Sequence, residues 1–198
     1  MRKIISLLIL ILTINSIGYT QLPTYTLVKP ASWESETFPL PPAFAPEIIF
    51  KGVEDIRFSP GWSKSVSEQY WSYAFIWLVE GKQVLSEKVL SDYMTAYYTG
   101  IYTANLKDKP APKPGFTTTR FHKIKPAEED AVTYEGSVQT LNYLTHQPLS
   151  LHVRVHFRKV ANASATVMLF EVSPQPYSHS VWQELSTVIL GFKLTKEK

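Results

Sequence analysis

The spacing of apolar and polar positions changes period several times along the chain, and each change marks an element. Tyr70 to Val79 alternates Trp71, Tyr73, Phe75, Trp77 and Val79 on one face with Ser72, Ala74, Ile76 and Leu78 on the other. Both sets are largely apolar, which predicts a central strand covered on both sides. Glu47 to Phe58 reads as another strand, with Ile48, Phe50, Ile56 and Phe58 on one face and a stop at Ser59-Pro60-Gly61. The period then lengthens. Leu85, Val89, Tyr93, Tyr97 and Ile101 recur at helical spacing, joined by Leu90, Met94 and Tyr98, with Ser86 placed to cap. This predicts a helix over 87–102. Four further strands are predicted over Phe116 to Lys125, Val132 to Tyr143, Leu149 to Val160 and Ala165 to Val172. The last three form a meander with turns near His146-Gln147-Pro148 and Ala161-Asn162-Ala163. A final helix starts at Ser180, with Val181, Leu185, Val188 and Ile189 as its core side. The order of elements predicts an α+β fold: an antiparallel sheet of about six strands with two main helices packed mostly on one face.

The N-terminal pattern differs from the rest. Met1-Arg2-Lys3 precedes an apolar run from Ile4 to Ile14, followed by small and polar residues up to Thr20. This is the pattern of a secretory signal peptide over 1–20, and its apolar run is shorter than the roughly 20 residues of a membrane span. Leu22 to Pro46 contains Pro23, Pro30, Pro39, Pro41, Pro42 and Pro46 among the aromatics Tyr25, Trp33, Phe38 and Phe44. Residues 21–46 are therefore expected to run extended over a surface, leaving 47–198 as a single domain.

Composition narrows the function classes. At 44% hydrophobic and 19% charged residues, the chain is globular. It has no cysteine, which removes disulfides, thiol nucleophiles, iron–sulfur clusters and cysteine-bound zinc. Without Arg2 and Lys3 the basic excess over 17 acidic residues nearly vanishes, and no basic stripe marks a nucleic-acid partner. No later segment of the mature chain resembles a membrane span. An exported chain without disulfides fits the periplasm or secretion of a Gram-negative bacterium.

Two stretches carry a resemblance. Phe38-Pro39-Leu40-Pro41-Pro42-Ala43-Phe44-Ala45-Pro46, then Lys51 to Trp62 with its Arg57-Phe58-Ser59-Pro60-Gly61-Trp62, then Tyr70-Trp71-Ser72-Tyr73-Ala74-Phe75-Ile76-Trp77 together resemble a family of small exported bacterial proteins with no assigned activity. Trp182 to Leu194 resembles the ends of photosystem accessory-type domains, which implies an α+β fold and a noncatalytic role. Neither resemblance supplies catalytic residues.

Candidate chemistry gathers in two places. In Leu151-His152-Val153-Arg154-Val155-His156-Phe157-Arg158, alternation puts the aliphatic and phenyl side chains on the core face and His152, Arg154, His156 and Arg158 opposite. His152 and His156 are then about 13 Å apart at ~3.3 Å per residue, too far to share a metal, and no metal site is expected. A turn closing on His146-Gln147 sets Gln139 against Arg154, Ser137 against His156 and Glu135 against Arg158, and the following turn sets Glu171 against Arg154. Glu135, Ser137, Arg154, His156, Arg158 and Glu171 thus form either a polar ligand-binding surface or a solvated sheet face with cross-strand ion pairs. Ser137 beside His156 also admits an envelope hydrolase, with the serine or a water as nucleophile, although no Gly-x-Ser-x-Gly elbow is present. The second place is aromatic: Trp62, Trp71, Tyr73, Phe75 and Trp77 are either core or a platform for flat ligands. Glu54 and Arg57 are candidates for a local pair or for ligand contact. The acidic run Glu128-Glu129-Asp130 reads as a solvated loop. With no glycine-rich phosphate loop, no cofactor is expected. The balance favours a noncatalytic exported protein that binds a ligand or an envelope partner.

Overall fold

The computed structural model describes residues 22–195 apart from 108 and 161–164. The expected signal segment over 1–20 and the expected turn near Asn162 lie outside the described residues. Among those described, nine strands and two helices follow in the order β1 (Tyr25–Thr26), β2 (Glu34–Leu40), β3 (Gly52–Phe58), β4 (Tyr73–Glu80), α1 (Glu87–Ala104), β5 (Thr118–Ile124), β6 (Val132–Leu141), β7 (Pro148–Lys159), β8 (Ala165–Ser173), α2 (Val181–Leu190) and β9 (Lys193–Leu194). Seven of the strands make one antiparallel sheet, ordered β2-β3-β4-β8-β7-β6-β5, and β1 pairs with β9 in a small second sheet.

The expected sheet of about six strands with both helices mostly on one face is thereby corrected. The molecule is mostly sheet, with seven strands in the main sheet and two in the small one. The strand of the main sheet missing from the expectation is β2, and the small β1–β9 sheet was not expected either. Its run Glu34–Leu40 falls between the prolines at 30 and 41, and it contains only Pro39. On an edge strand a missing N–H can face solvent, so a proline there is tolerated. Glu34 and Glu36 keep that edge charged, which opposes pairing with other chains. Trp33, Leu40 and Ala45 of the same proline-rich stretch are buried.

The helices lie on opposite faces for a reason visible in β4. Tyr73, Phe75, Trp77 and Val79 pack with Leu90, Met94, Tyr97 and Tyr98 of α1, together with Leu151, Val153 and Val155 of β7. Ala74, Ile76 and Leu78 pack instead with Val181, Trp182, Leu185 and Val188 of α2. A strand that is apolar on both faces needs two covers, and one helix serves each. Ser86 caps α1 by accepting a hydrogen bond from the Val89 N–H at 3.2 Å.

Gly100 brings α1 close to the segment leading into β3. A methyl group there would stand 1.9 Å from the Phe44 carbonyl oxygen, a backbone atom that cannot step aside alone. Gly100→Ala is expected to destabilise the protein by roughly 1–3 kcal/mol through overpacking. A lowered urea midpoint measures this, whereas an unchanged midpoint means the 42–46 segment yields freely.

Candidate functional site

The aromatic residues nominated by alternation divide between core and cavity. On β3, Glu54, Ile56 and Phe58 face α1, in register with Trp77, Phe75 and Tyr73 of β4. Beyond β3 the Ser59–Ser72 loop folds back, held by the Trp71 N–H to Trp62 oxygen bond at 2.7 Å and by Ser59 Oγ donating to the Ser72 carbonyl at 2.8 Å. Trp71 sits in this loop at φ 53°, a left-handed conformation that is costly for a bulky residue. Its indole N–H is buried without a partner.

Between the loop, the β2 edge and α1 lies a cavity of 190 Å³, with Glu54, Phe58, Trp62, Trp71, Tyr73 and Tyr97 in its wall and Glu36 also bordering it. Phe58 and Trp62 are 4.6 Å apart between centroids, and Trp71 meets Tyr143 edge-on at 5.2 Å. Of the nominated residues, Trp62, Trp71 and Tyr73 line this space, while Phe75 and Trp77, both 0% exposed, pack against Phe170 at 4.3 and 4.9 Å and do not.

Glu54 dominates the electrostatics of the cavity. It is 1% exposed, and Tyr97 Oη donates to its Oε1 at 2.7 Å. Burial pushes the carboxyl up to about 7, against the Tyr97 hydrogen bond and the pull of the Trp77 indole, whose N–H lies outside hydrogen-bonding geometry. No basic side chain lines the cavity among the described residues. Glu54 and Arg57 do not pair. Alternation turns Arg57 to the other face, where it pairs with Asp55 through Nη2 and Oδ2 at 3.1 Å.

The polar residues of β7 lie beneath α2. Arg154 stands opposite Glu135 on β6 and Glu171 on β8, donating to Glu135 Oε1 from Nη2 at 2.7 Å and to Glu171 Oε2 from Nη1 at 3.2 Å. Ser186 of α2 donates to Glu171 Oε1 at 2.6 Å. His156 Nδ1 donates to Asp130 Oδ2 at 2.6 Å, and Arg158 Nε donates to Asp130 Oδ1 at 2.8 Å. The remaining nitrogen of His156 is buried without a hydrogen bond, 3.7 Å from Glu171 Oε2. A cleft of 310 Å³ opens above Arg154, His156 and Glu171 beside Ile189 and Leu190.

The structure thus brings Glu135, Arg154, Glu171, His156 and Arg158 into one network but leaves Ser137 out of it. Ser137 faces His152, and Thr133 stands opposite His156. The β6–β7 loop closes two residues earlier than His146-Gln147, because Asn142 Oδ1 accepts from the backbone N–H groups of Leu144 and Thr145 at 2.8 and 3.3 Å. Asn142 was the available signal, since asparagine caps its own turn in this way. Asp130 and Ser186 were missed. The contiguous acids of 128–130 look solvated in sequence, yet the side chain of Asp130 is 0% exposed.

Charge in this network is mutually supported. Burial raises the cost of ionising Asp130, but hydrogen bonds from His156, Thr133 and Arg158 hold its carboxyl below the ordinary value. Burial likewise opposes protonation of His156, and the Asp130 hydrogen bond with the Glu171 carboxylate outweighs it, so the imidazole titrates above its ordinary 6.5. A raised imidazole stabilises the fold fully below about 6.5, and that stability is lost as pH rises through the folded-state value. His156→Gln is therefore expected to flatten the decline of the melting temperature above neutral pH. A parallel decline in both proteins contradicts this role.

Among the described residues, no group of three or more histidine or carboxylate side chains is placed to hold a metal, and no helix is long and apolar enough to cross a membrane. No protein family's sequence profile matches the chain, and no curated protein matches it. Distant similarity to solved structures is found, among them the following two. One is the solution structure of cyanobacterial PsbP (CyanoP) from Synechocystis sp. PCC 6803, with a TM-score of 0.42 at 10% identity over 91% of this chain and 96% of that one. The other is LpqN of Mycobacterium tuberculosis, described as involved in cell envelope biogenesis, with a TM-score of 0.38 at 10% identity over 91% of this chain and 88% of that one.

Proposed function

We propose that this is an exported, noncatalytic binding protein that holds a small ligand in the aromatic cavity at the β2–β3–β4 edge. One observation carries the reading: a nearly inaccessible carboxyl, without a counter-ion among the described residues, borders a 190 Å³ cavity with aromatic walls. Burying a carboxyl without a charge partner opposes stability, so the arrangement is better suited to a ligand than to packing. The signal-peptide pattern of 1–20 supports export, and an envelope protein remains the natural setting for such a carrier.

Native mass spectrometry of protein purified gently from its own host, compared with the same sample denatured, tests this. Added mass that vanishes on denaturation, and that Trp62→Ala reduces, is the expected result. A bare chain whose tryptophan fluorescence no small molecule alters overturns the reading.

A second reading, an envelope hydrolase with His156 as base, draws support from the Asp130–His156 hydrogen bond and the unpaired ring nitrogen near the α2 cleft. It requires a neutral imidazole, whereas the two carboxylates favour the charged ring, which accepts no proton. Turnover of ester, peptide or glycan substrates that disappears in His156→Ala is the result that favours it.

A further inference from the structure

Resting on the aromatic cavity as the binding site, we infer that its ligand is a small quaternary ammonium ion, with the methylated nitrogen among the rings and its charge set against Glu54. Three features select this chemistry. The first is charge: Glu54 and Glu36 both border the cavity, and among the described residues no lysine, arginine or histidine lines it. The second is the wall. Phe58, Trp62, Trp71 and Tyr73 supply aromatic rings, whose negative faces attract cations and whose surfaces suit methyl groups. The third is that two of the three tyrosine hydroxyls of the wall are committed, leaving Tyr143. Tyr97 Oη is committed to Glu54 at 2.7 Å, and Tyr73 Oη to Tyr98 Oη at 2.6 Å.

Alternative guests fit less well. A primary ammonium carries three N–H donors and a guanidinium five, more than two carboxylates in an aromatic wall are placed to satisfy, whereas a quaternary ammonium carries none. A hard metal ion needs six or so oxygen ligands, and no such cluster exists among the described residues. A sugar ring needs several uncommitted polar partners. The volume of 190 Å³ also fits, being slightly larger than the ~150 Å³ cavity that holds a benzene-sized guest.

Binding is coupled to a proton. Glu54 is faced by Tyr97 and Tyr98 of α1 and Trp77 of β4, with Glu36 of β2 in the same cavity wall, none of them a cation. The unliganded carboxyl takes up a proton near neutrality, and a bound cation requires its charged form. Affinity is then expected to fall by up to about tenfold per pH unit below pH ~7 and to level off above it.

The test uses the mature chain with choline and with dimethylbutanol, the uncharged carbon isostere of choline, followed by tryptophan fluorescence and calorimetry. At about pH 8, choline is expected to bind at least about tenfold more tightly than dimethylbutanol, and Glu54→Gln to lose at least about tenfold for choline. At about pH 6, calorimetry in buffers of different ionisation heat is expected to register proton release. Equal affinity for the two probes overturns the cationic ligand and leaves the cavity as a binding site. A response to neither probe overturns the cationic ligand, while binding of uncharged molecules in the same fluorescence assay would preserve the cavity reading. The comparison of probes needs no variant, so a folding defect in Glu54→Gln does not blunt it. Phosphatidylcholine vesicles separate the sources: choline-sensitive co-sedimentation supports the cationic site and identifies a lipid headgroup, while choline binding without co-sedimentation supports it and identifies the free ion.

Discussion

Replacing Glu171 with alanine is expected to cost roughly 3–5 kcal/mol of stability, the range for removing one member of a buried charge network. In a protein of this size, that lowers the melting temperature by about 10 °C. Glu171 is 0% exposed, and its carboxylate on β8 ties two other elements to its own strand: it accepts from Arg154 on β7 and Ser186 on α2, and it lies 3.7 Å from the His156 ring. Without it, Arg154 keeps Glu135, but His156 loses the carboxylate 3.7 Å from its unpaired nitrogen and Ser186 loses its acceptor. Glu171→Gln preserves shape and should cost less than the alanine variant. Urea unfolding of both variants measures this, and a loss below about 1 kcal/mol for alanine would mean that water replaces the carboxylate easily.

Glu54→Gln should act in the opposite direction. The carboxyl titrates at about 7 in the folded protein against an ordinary 4.5. The folded state therefore holds the proton more tightly than the unfolded state. Its contribution is present in full below about 4.5 and is lost as pH rises through about 7. At 1.36 kcal/mol per pKa unit, the charged carboxyl costs on the order of 3 kcal/mol above pH ~8. Glutamine keeps an acceptor for Tyr97 and never ionises. The variant should match the parent near pH ~4 and exceed it by roughly 2–3 kcal/mol near pH ~8. Melting temperatures at the two pH values decide it, and a variant that is no more stable at the higher pH sinks the idea. A gain in stability together with a loss of ligand would show that the carboxyl is maintained for binding at the expense of the fold.

The contrast between β7 and β2 shows which features were legible. In β7, alternation separated Leu151, Val153 and Val155 from Arg154 and His156, and the structure keeps that separation. The side-chain period of a strand is a local property of the backbone, so it can be read without knowing the neighbours. In β2, the surrounding prolines concealed a strand, because edge position is what makes Pro39 acceptable and an edge is defined only by the rest of the sheet. The cap at Ser86 was legible for the same local reason as the β7 alternation.

Register and face were harder. The expected pairs of Gln139 with Arg154 and Ser137 with His156 give way to Glu135 with Arg154 and Thr133 with His156. The slip is even, so each side chain keeps its face while every partner changes. Asp130 is the clearest case of a residue whose role depends on distance across the fold. In sequence it ends an acidic loop, and in space it lies under His156 and Arg158.

By itself the sequence determined the alternating faces of β4 and β7, the course of α1, the exclusion of cysteine chemistry and the residue types from which a site is built. The tertiary structure alone decided that α1 and α2 take opposite faces, that Asp130 joins His156, and that Glu54 meets an aromatic cavity instead of Arg57. Side-chain periodicity is written into neighbouring residues, whereas burial, counter-charge and cavity shape arise only when distant strands and helices close around the same point.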